Sequence, residues 1–287
     1  MTVHNLMIAA LLARLRPLGE NIARHPLLLL PLLVALFFHK LTFSNLILGR
    51  GDTFLYFYPY WEAAAAALRN GEFPLWNPHL FMGAPLLANA QVGFLYPLNW
   101  PLWVTLDVPT AVKVAILLHL FIAGWGAFRL ARRWLGLEPL AALFTAVLFA
   151  LGGYLTAQIE HVNQLQGLAW LPWVLLNLHW LSHNVQRKQW WGSAWRALWL
   201  ALLFALQFLA GHTQTLFITR VAAAIFQLAA FGIWIWERKL PAWTTRQKVR
   251  ALLQTTLLLG GAGLFALALA AAQLLPTLEL TDLSSRQ

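Results

Sequence analysis

Long apolar runs alternate with short polar, Trp-rich and basic interruptions along almost the whole chain. The runs approach the roughly 20 residues that one helical bilayer crossing needs. They predict seven spans, at about 27–47, 109–131, 139–158, 165–182, 193–210, 213–236 and 251–273. Residues 98–106 read as the start of the second span or a short re-entrant piece. Only Gly211-His212 separates the fifth and sixth spans, which predicts a tight turn. The pattern is that of an all-α, polytopic transmembrane bundle occupying 27–287, preceded by an amphipathic segment, 1–26, lying on the cytoplasmic surface.

The exception is the interval between the first two spans. Residues 48–108 form a loop far longer than a turn requires, and long ordered loops commonly carry function. It holds Arg50-Gly51-Asp52-Thr53, then Tyr56-Phe57-Tyr58-Pro59-Tyr60-Trp61, and then Ala63–Ala67. Pro74-Leu75-Trp76-Asn77-Pro78, Gly83-Ala84-Pro85, Ala88-Asn89-Ala90-Gln91 and Tyr96-Pro97 follow. The Ala run with Trp61 and Leu68 predicts a short helix on the outer surface, ended by Gly71. The later prolines forbid a regular helix and predict a folded loop over the membrane.

Composition agrees. Apolar residues are 60% of the chain and charged residues 10%, which excludes an ordinary soluble domain. The 16 Trp are in excess of a soluble core's needs; Trp100, Trp103, Trp134, Trp180, Trp190, Trp191, Trp236 and Trp243 are placed as an interfacial belt would be. With the N-terminus cytoplasmic, 14 of the 20 basic residues fall on inner connections, satisfying the positive-inside rule. The net charge of +10 is therefore topological, and no continuous basic face tracks nucleic acid. Seven of the ten acids collect on the opposite, extracytoplasmic side, where chemistry can use them. Cysteine is absent, which excludes disulfides and thiol nucleophiles. No Walker or dinucleotide glycine motif is present. The chain stops soon after the seventh span, which suggests a fragment.

Candidate chemistry lies on the acidic side. Asp52 is able to take a proton from a hydroxyl nucleophile or to hold a divalent cation such as Mg or Mn. It equally reads as the N-cap of a helix starting at Phe54. Glu160-His161-Val162-Asn163-Gln164 packs an acid, an imidazole and two amides into one turn, suited to sugar hydroxyls, to a phosphate, or to a metal shared between His161 and Asp52. It equally reads as a solvated turn. Gly211-His212-Thr213-Gln214 is a third polar turn, with Thr213 and Gln214 expected to face the bundle. Gln273, Pro276, Glu279, Ser284, Ser285 and Arg286 form a fourth group. Arg220, two turns into the sixth span, suits a phosphate or a snorkelling role. Leu171-Pro172-Trp173 predicts a kink within a span. Gly260, Gly261 and Gly263 read as a close-packing face.

In their order, Asp52, Tyr58-Pro59, Pro74-Leu75-Trp76-Asn77-Pro78, Gly83-Ala84-Pro85, Ala88-Asn89-Ala90-Gln91, Tyr96-Pro97, Glu160-His161-Val162-Asn163-Gln164, Leu171-Pro172-Trp173, Gly211-His212-Thr213-Gln214 and Gln273-Leu274-Leu275-Pro276-Thr277-Leu278-Glu279 resemble the N-terminal part of the bacterial YfhO-type membrane proteins, grouped with the GT-C glycosyltransferases. The resemblance implies a GT-C-like fold in the bacterial cell membrane. It implies inverting transfer of a sugar from a polyprenyl-phosphate donor to an extracytoplasmic acceptor, such as a teichoic acid or another envelope polymer or glycan. Asp52 would be base, metal ligand or both. Tyr56, Tyr58, Trp76, Asn77, Asn89, Gln91, Glu160, His161, Asn163, Gln164, His212, Gln214 and Arg220 would be substrate-binding candidates. GT-C members often carry a second acid near the first; in this sequence the nearest are Glu62 and Glu72. The competing readings are a flippase for a lipid-linked sugar, which would want broken spans and midplane charges, and a non-catalytic protein of envelope assembly.

Overall fold

A computed structural model describes residues 25–80, 82–236 and 244–284, without the side chains of 234–236. The expected surface helix over 1–26 therefore falls almost wholly outside the described residues, as do Trp243, Ser285 and Arg286. About 78% of the structure is helical. Among the described residues the only sheet is an antiparallel pairing of β1 (Trp76–Asn77) with β2 (Ala84–Pro85).

Five helical segments are long and apolar enough to cross a membrane: Val108–Arg133 (α4), Pro139–Glu160 (whose first part, Pro139–Leu151, is α5), Trp190–Leu209 (α8), Thr213–Ile233 (most of α9, Thr213–Trp236) and Thr245–Leu269 (α10). They match the second, third, fifth, sixth and seventh expected spans. Local chemistry starts and stops them. The Asp107 carboxylate accepts from the Thr110 N–H at 3.1 Å, Pro109 sits in the first turn of α4, and Arg132 and Arg133 close its last. A reciprocal capping box between Thr244 and Gln247 opens α10.

The other two expected spans are broken. The apolar helix α1 (Pro26–Phe37) is about 18 Å long at 1.5 Å per residue. Helical geometry fails at Phe38, resumes briefly over His39–Phe43, and turns extended at Ser44. Thr42 Oγ1 donates to the Phe38 carbonyl at 3.0 Å and Ser44 Oγ bonds the Lys40 carbonyl, so side chains compete with the helix ladder there. The expected fourth span is divided into α6 (Val162–Leu168) and α7 (Leu171–Gln186). Pro172, in the first turn of α7, has no N–H to continue α6.

The long loop is folded. The Ala-rich helix is α2 (Tyr58–Arg69), and the chain turns at Gly71, where φ is +73°. Trp61 is fully buried, meets Trp103 edge-on at 5.2 Å, and donates its indole N–H to the Val92 carbonyl at 3.1 Å. Phe94 stacks on Trp103 at 6.0 Å, and the short helix α3 (Asn99–Thr105) carries Trp103 inward. Trp103 is thus a core residue, not a member of the interfacial belt: the loop supplies enough aromatic surface to enclose it. All the polar turns lie at the same end of the bundle as this loop.

Candidate functional site

At the loop-bearing end, the chain enters the loop through a sharp turn. Gly51 has φ +53°, and a Cβ there would lie 2.6 Å from Glu160 Oε2, so Glu160 folds over a position that only glycine leaves open. Arg50 Nε stands 3.4 Å from the same oxygen. Residues Thr53–Phe57 then form one π-helical turn, a local widening that recurs at functional sites. Thr53 Oγ1 donates to the Glu160 carbonyl at 2.9 Å, tying this turn to the segment after α5.

Asp52 is not an N-cap. Its backbone is helical and its carboxylate makes no capping hydrogen bond. The carboxylate is exposed, with Oδ2 3.9 Å from His161 Nδ1. That nitrogen is itself enclosed and has no hydrogen-bond partner. Behind it stands His212, whose Nδ1 is 2.6 Å from Thr215 Oγ1 and accepts the Thr215 N–H at 3.2 Å, which leaves the neutral ring's proton on Nε2. Burial, and then the neighbouring His161, hold His212 below the usual imidazole range. On the loop side, Tyr56 stacks on Tyr60 at 4.3 Å and donates its hydroxyl to Asn89 Oδ1 at 2.9 Å. Burial raises the Tyr56 phenol, Tyr60 and Asp52 add to this, and the Asn89 bond opposes it; Tyr56 stays a neutral donor.

The three turns are held together by backbone contacts. A Cβ on Gly211, where φ is +89°, would fall 2.0 Å from the Ala90 carbonyl oxygen, so the loop lies directly on the α8–α9 turn. Asn163 is buried; its Nδ2 donates to the Gly211 carbonyl at 3.4 Å and its Oδ1 accepts the Gln164 N–H at 2.7 Å. It braces the site and does not face an opening. Farther along, α11 (Ala271–Asp282) clasps the loop: Gln273 Nε2 donates to the Leu87 carbonyl at 2.8 Å and Thr277 Oγ1 to that of Ala88 at 3.0 Å.

The structure therefore gathers Asp52, Glu160, His161 and His212, with Tyr56 and Asn89 beside them. It does not gather the rest. Gln91 is exposed, and Gln164 reaches back to the Tyr154 hydroxyl at 3.4 Å. Gln214 and Thr213 are exposed, against expectation. The residues of that helix facing inward are Thr215 and Thr219, one turn apart, and Thr219 Oγ1 accepts from Gln207 Nε2 at 2.9 Å. Trp76 is exposed and covers Gly83 in the β1–β2 hairpin, while Asn77 is buried and accepts the His79 N–H at 3.0 Å. Tyr58 is half-buried against Phe54, edge-on at 6.4 Å. Arg220 lines a groove between α8, α9 and α10. Gly260 and Gly261 do not pack closely: a Cβ on either would meet nothing within 4 Å.

Sequence reasoning missed Arg50 and the role of Thr53, and it sought the second acid at Glu62 or Glu72, both exposed, where Glu160 folds against Asp52's own turn. It also missed a buried polar framework. Gln166 donates to Asn99 Oδ1 at 2.6 Å, and the Tyr96 hydroxyl lies 2.7 Å from His119 Nε2 while accepting from Trp170 Nε1 at 2.9 Å. Gln166, His119 and Gln207 were visible as polar residues within apolar runs. As a metal centre the site falls short: Asp52 and His161 offer two donors, and among the described residues no three His, Asp or Glu stand close enough to hold one ion.

Compared with known proteins, the chain matches no family model, no curated protein and no solved structure.

Proposed function

We propose that the protein is a GT-C-like glycosyltransferase of the bacterial cell membrane, taking a sugar from a polyprenyl phosphate to an acceptor on the extracytoplasmic side. On this reading the chain crosses the membrane seven times, with α1 and its extension and the α6–α7 pair completing the five clear spans. The N-terminus is cytoplasmic and the loop-bearing end faces outward. The observation that carries the reading is the Asp52–His161 pair. The exposed carboxylate stands 3.9 Å from an enclosed imidazole nitrogen, too far for a mutual hydrogen bond, so its oxygens stay free to take a proton from a hydroxyl arriving on the open side.

The acceptor hydroxyl sits against the exposed face of Asp52. Its oxygen attacks the anomeric carbon, its proton passes to Asp52, the bond from that carbon to the phosphate oxygen breaks, and the lipid phosphate leaves with the bonding pair. Attack opposite the leaving group inverts the anomeric centre. Glu160, held by Arg50, and the Tyr56–Asn89 pair present acceptors and donors to sugar hydroxyls, and the imidazole of His212 presents Nε2–H to the leaving phosphate. Nothing in this scheme needs a metal.

The test compares Asp52→Asn and Asp52→Ala with the parent chain at matched membrane levels, with envelope polymers analysed for sugar substitution by mass spectrometry. The expectation is that both variants lose the sugar and accumulate the polyprenyl-phosphate-linked donor. Unchanged substitution in both variants would remove Asp52 from the chemistry and sink the proposal. Accumulation confined to the cytoplasmic leaflet would instead favour a failure to deliver the donor, as in a flippase.

A further inference from the structure

Arg220 lies seven residues from the start of α9, about 10 Å below the loop-bearing end at 1.5 Å per residue. Gly263 lies six residues from the end of α10, at nearly the same depth. The two meet: a Cβ on Gly263 would be 3.7 Å from an Arg220 guanidinium nitrogen. Between α8, α9 and α10 is a groove of about 290 Å³, lined by Arg220, Phe204, Gly260, Leu264 and Leu267 among others. Its walls are mostly apolar, with Thr256 and Arg220 the polar members. Among the described residues Arg220 has no carboxylate and no hydrogen-bond acceptor as partner; its guanidinium carbon sits 5.7 Å from the centroid of the Phe204 ring. The side chain is exposed, on a helix that packs few of its faces against protein.

A permanent cation at this depth is costly without a counter-ion. The guanidinium fork fits a phosphate in two-point contact, and Lys or solvent does not reproduce that geometry. We infer that this groove is a binding site for an anionic glycerophospholipid, whose phosphate pairs with Arg220 and whose acyl chain lies along Gly260, Leu264 and Leu267. Charge complementarity selects the headgroup, and the apolar walls hold the chain. The site is separate from the Asp52 cluster and does not depend on sugar transfer. A failed Asp52 experiment leaves it standing.

The full chain, purified and reconstituted, would be titrated with phosphatidylglycerol, phosphatidylcholine or undecaprenyl phosphate and examined by native mass spectrometry for retained lipid. Phosphatidylglycerol should be retained in preference to phosphatidylcholine. Arg220→Gln should weaken that retention about tenfold, the scale of one lost charge-assisted contact. Arg220→Lys should lose less. Gly260→Leu fills the groove where a Cβ has open space, so it should displace the lipid while the charge and the fold remain. Equal retention of phosphatidylglycerol by Arg220→Gln and by Gly260→Leu overturns the assignment. So does a parent chain that prefers phosphatidylcholine, or one that holds undecaprenyl phosphate and not phosphatidylglycerol.

Discussion

The two hydrophobic clusters of the molecule are built from different material. The first joins α1, α2, α4, α5, α6 and the loop, and the loop contributes interlocked rings to it: Phe57, Tyr60, Trp61, Phe94 and Trp103. The second joins α7 to α10 and is aliphatic and Ala-rich around Leu178, Leu181, Leu200 and Leu203; its buried rings are Phe204, Phe208 and Phe226, with no Trp or Tyr among them. The extremes of helix burial fall one in each cluster. In its apolar window α4 is 56% buried within the protein, whereas α10 is 17% buried and α9 little more. The first cluster must hold a polar loop in one conformation, and interlocked rings with N–H donors do that. The second presents most of its helical surface outward, where lipid chains satisfy it as well as protein would. Rigidity is concentrated where Asp52, Glu160 and His161 need fixed positions, and openness where Arg220 stands.

That contrast is exposed to test, beginning with the harshest substitution. Gly211→Val puts a side chain where the Ala90 carbonyl already lies, at a positive φ; it should undock the loop at a cost on the order of 3 kcal/mol or more, read as loss of the folded species in detergent. A variant that melts like the parent would show that the loop is not seated on the α8–α9 turn. Trp61→Ala empties the centre of the first cluster and should cost about 3–5 kcal/mol in thermal unfolding. Gln166→Leu strands Asn99 Oδ1 in the core, for about 1–3 kcal/mol. By contrast Leu264→Ala, on the exposed wall of the second cluster, should shift stability by less than about 0.5 kcal/mol. A Leu264 effect matching that of Trp61 would erase the distinction between the two halves.

The smallest expected effect is on pH dependence. His212 is held below its ordinary value, so the unfolded chain binds its proton more readily than the folded one. Its contribution is therefore complete above the unfolded value of 6.5 and is lost as pH falls through the depressed folded value. His212→Gln should flatten the acid limb of stability measured between pH 7 and 5. An unaltered limb would mean that another group governs it.

Much of this was legible in the residues. Apolar length marked five spans, and the α9 boundary at Thr213 was readable from the Gly211-His212 interruption. The polar turns around Asp52, Glu160 and His212 marked the end where the site assembles. What could not be read was set by partners distant in sequence. Whether Asp52 caps its own helix depends on the π-helical turn that Thr53 makes by bonding Glu160. Trp103 looks interfacial until Trp61 and Phe94 are seen to enclose it. Gln214 and Thr215 are neighbours of similar polarity, and only the direction of the helix face decides which one meets Gln207. The first and fourth expected spans are interrupted for local reasons, at Ser44 and Pro172, that an apolar count does not register.

The clasp between α11 and the loop has a temporal meaning. Gln273 grips Leu87 across 186 residues of chain. A chain made from its N-terminus exposes the Asp52 loop long before α11 exists, and contacts of such sequence separation form late. The aromatic cluster can close early, from residues near in sequence, and hold the loop in outline. The last adjustment around Asn89 waits for α11 to arrive. Assembly of the polar end is thus linked to the emergence of α11, and a nascent chain would carry its Asp52 turn unfinished until then.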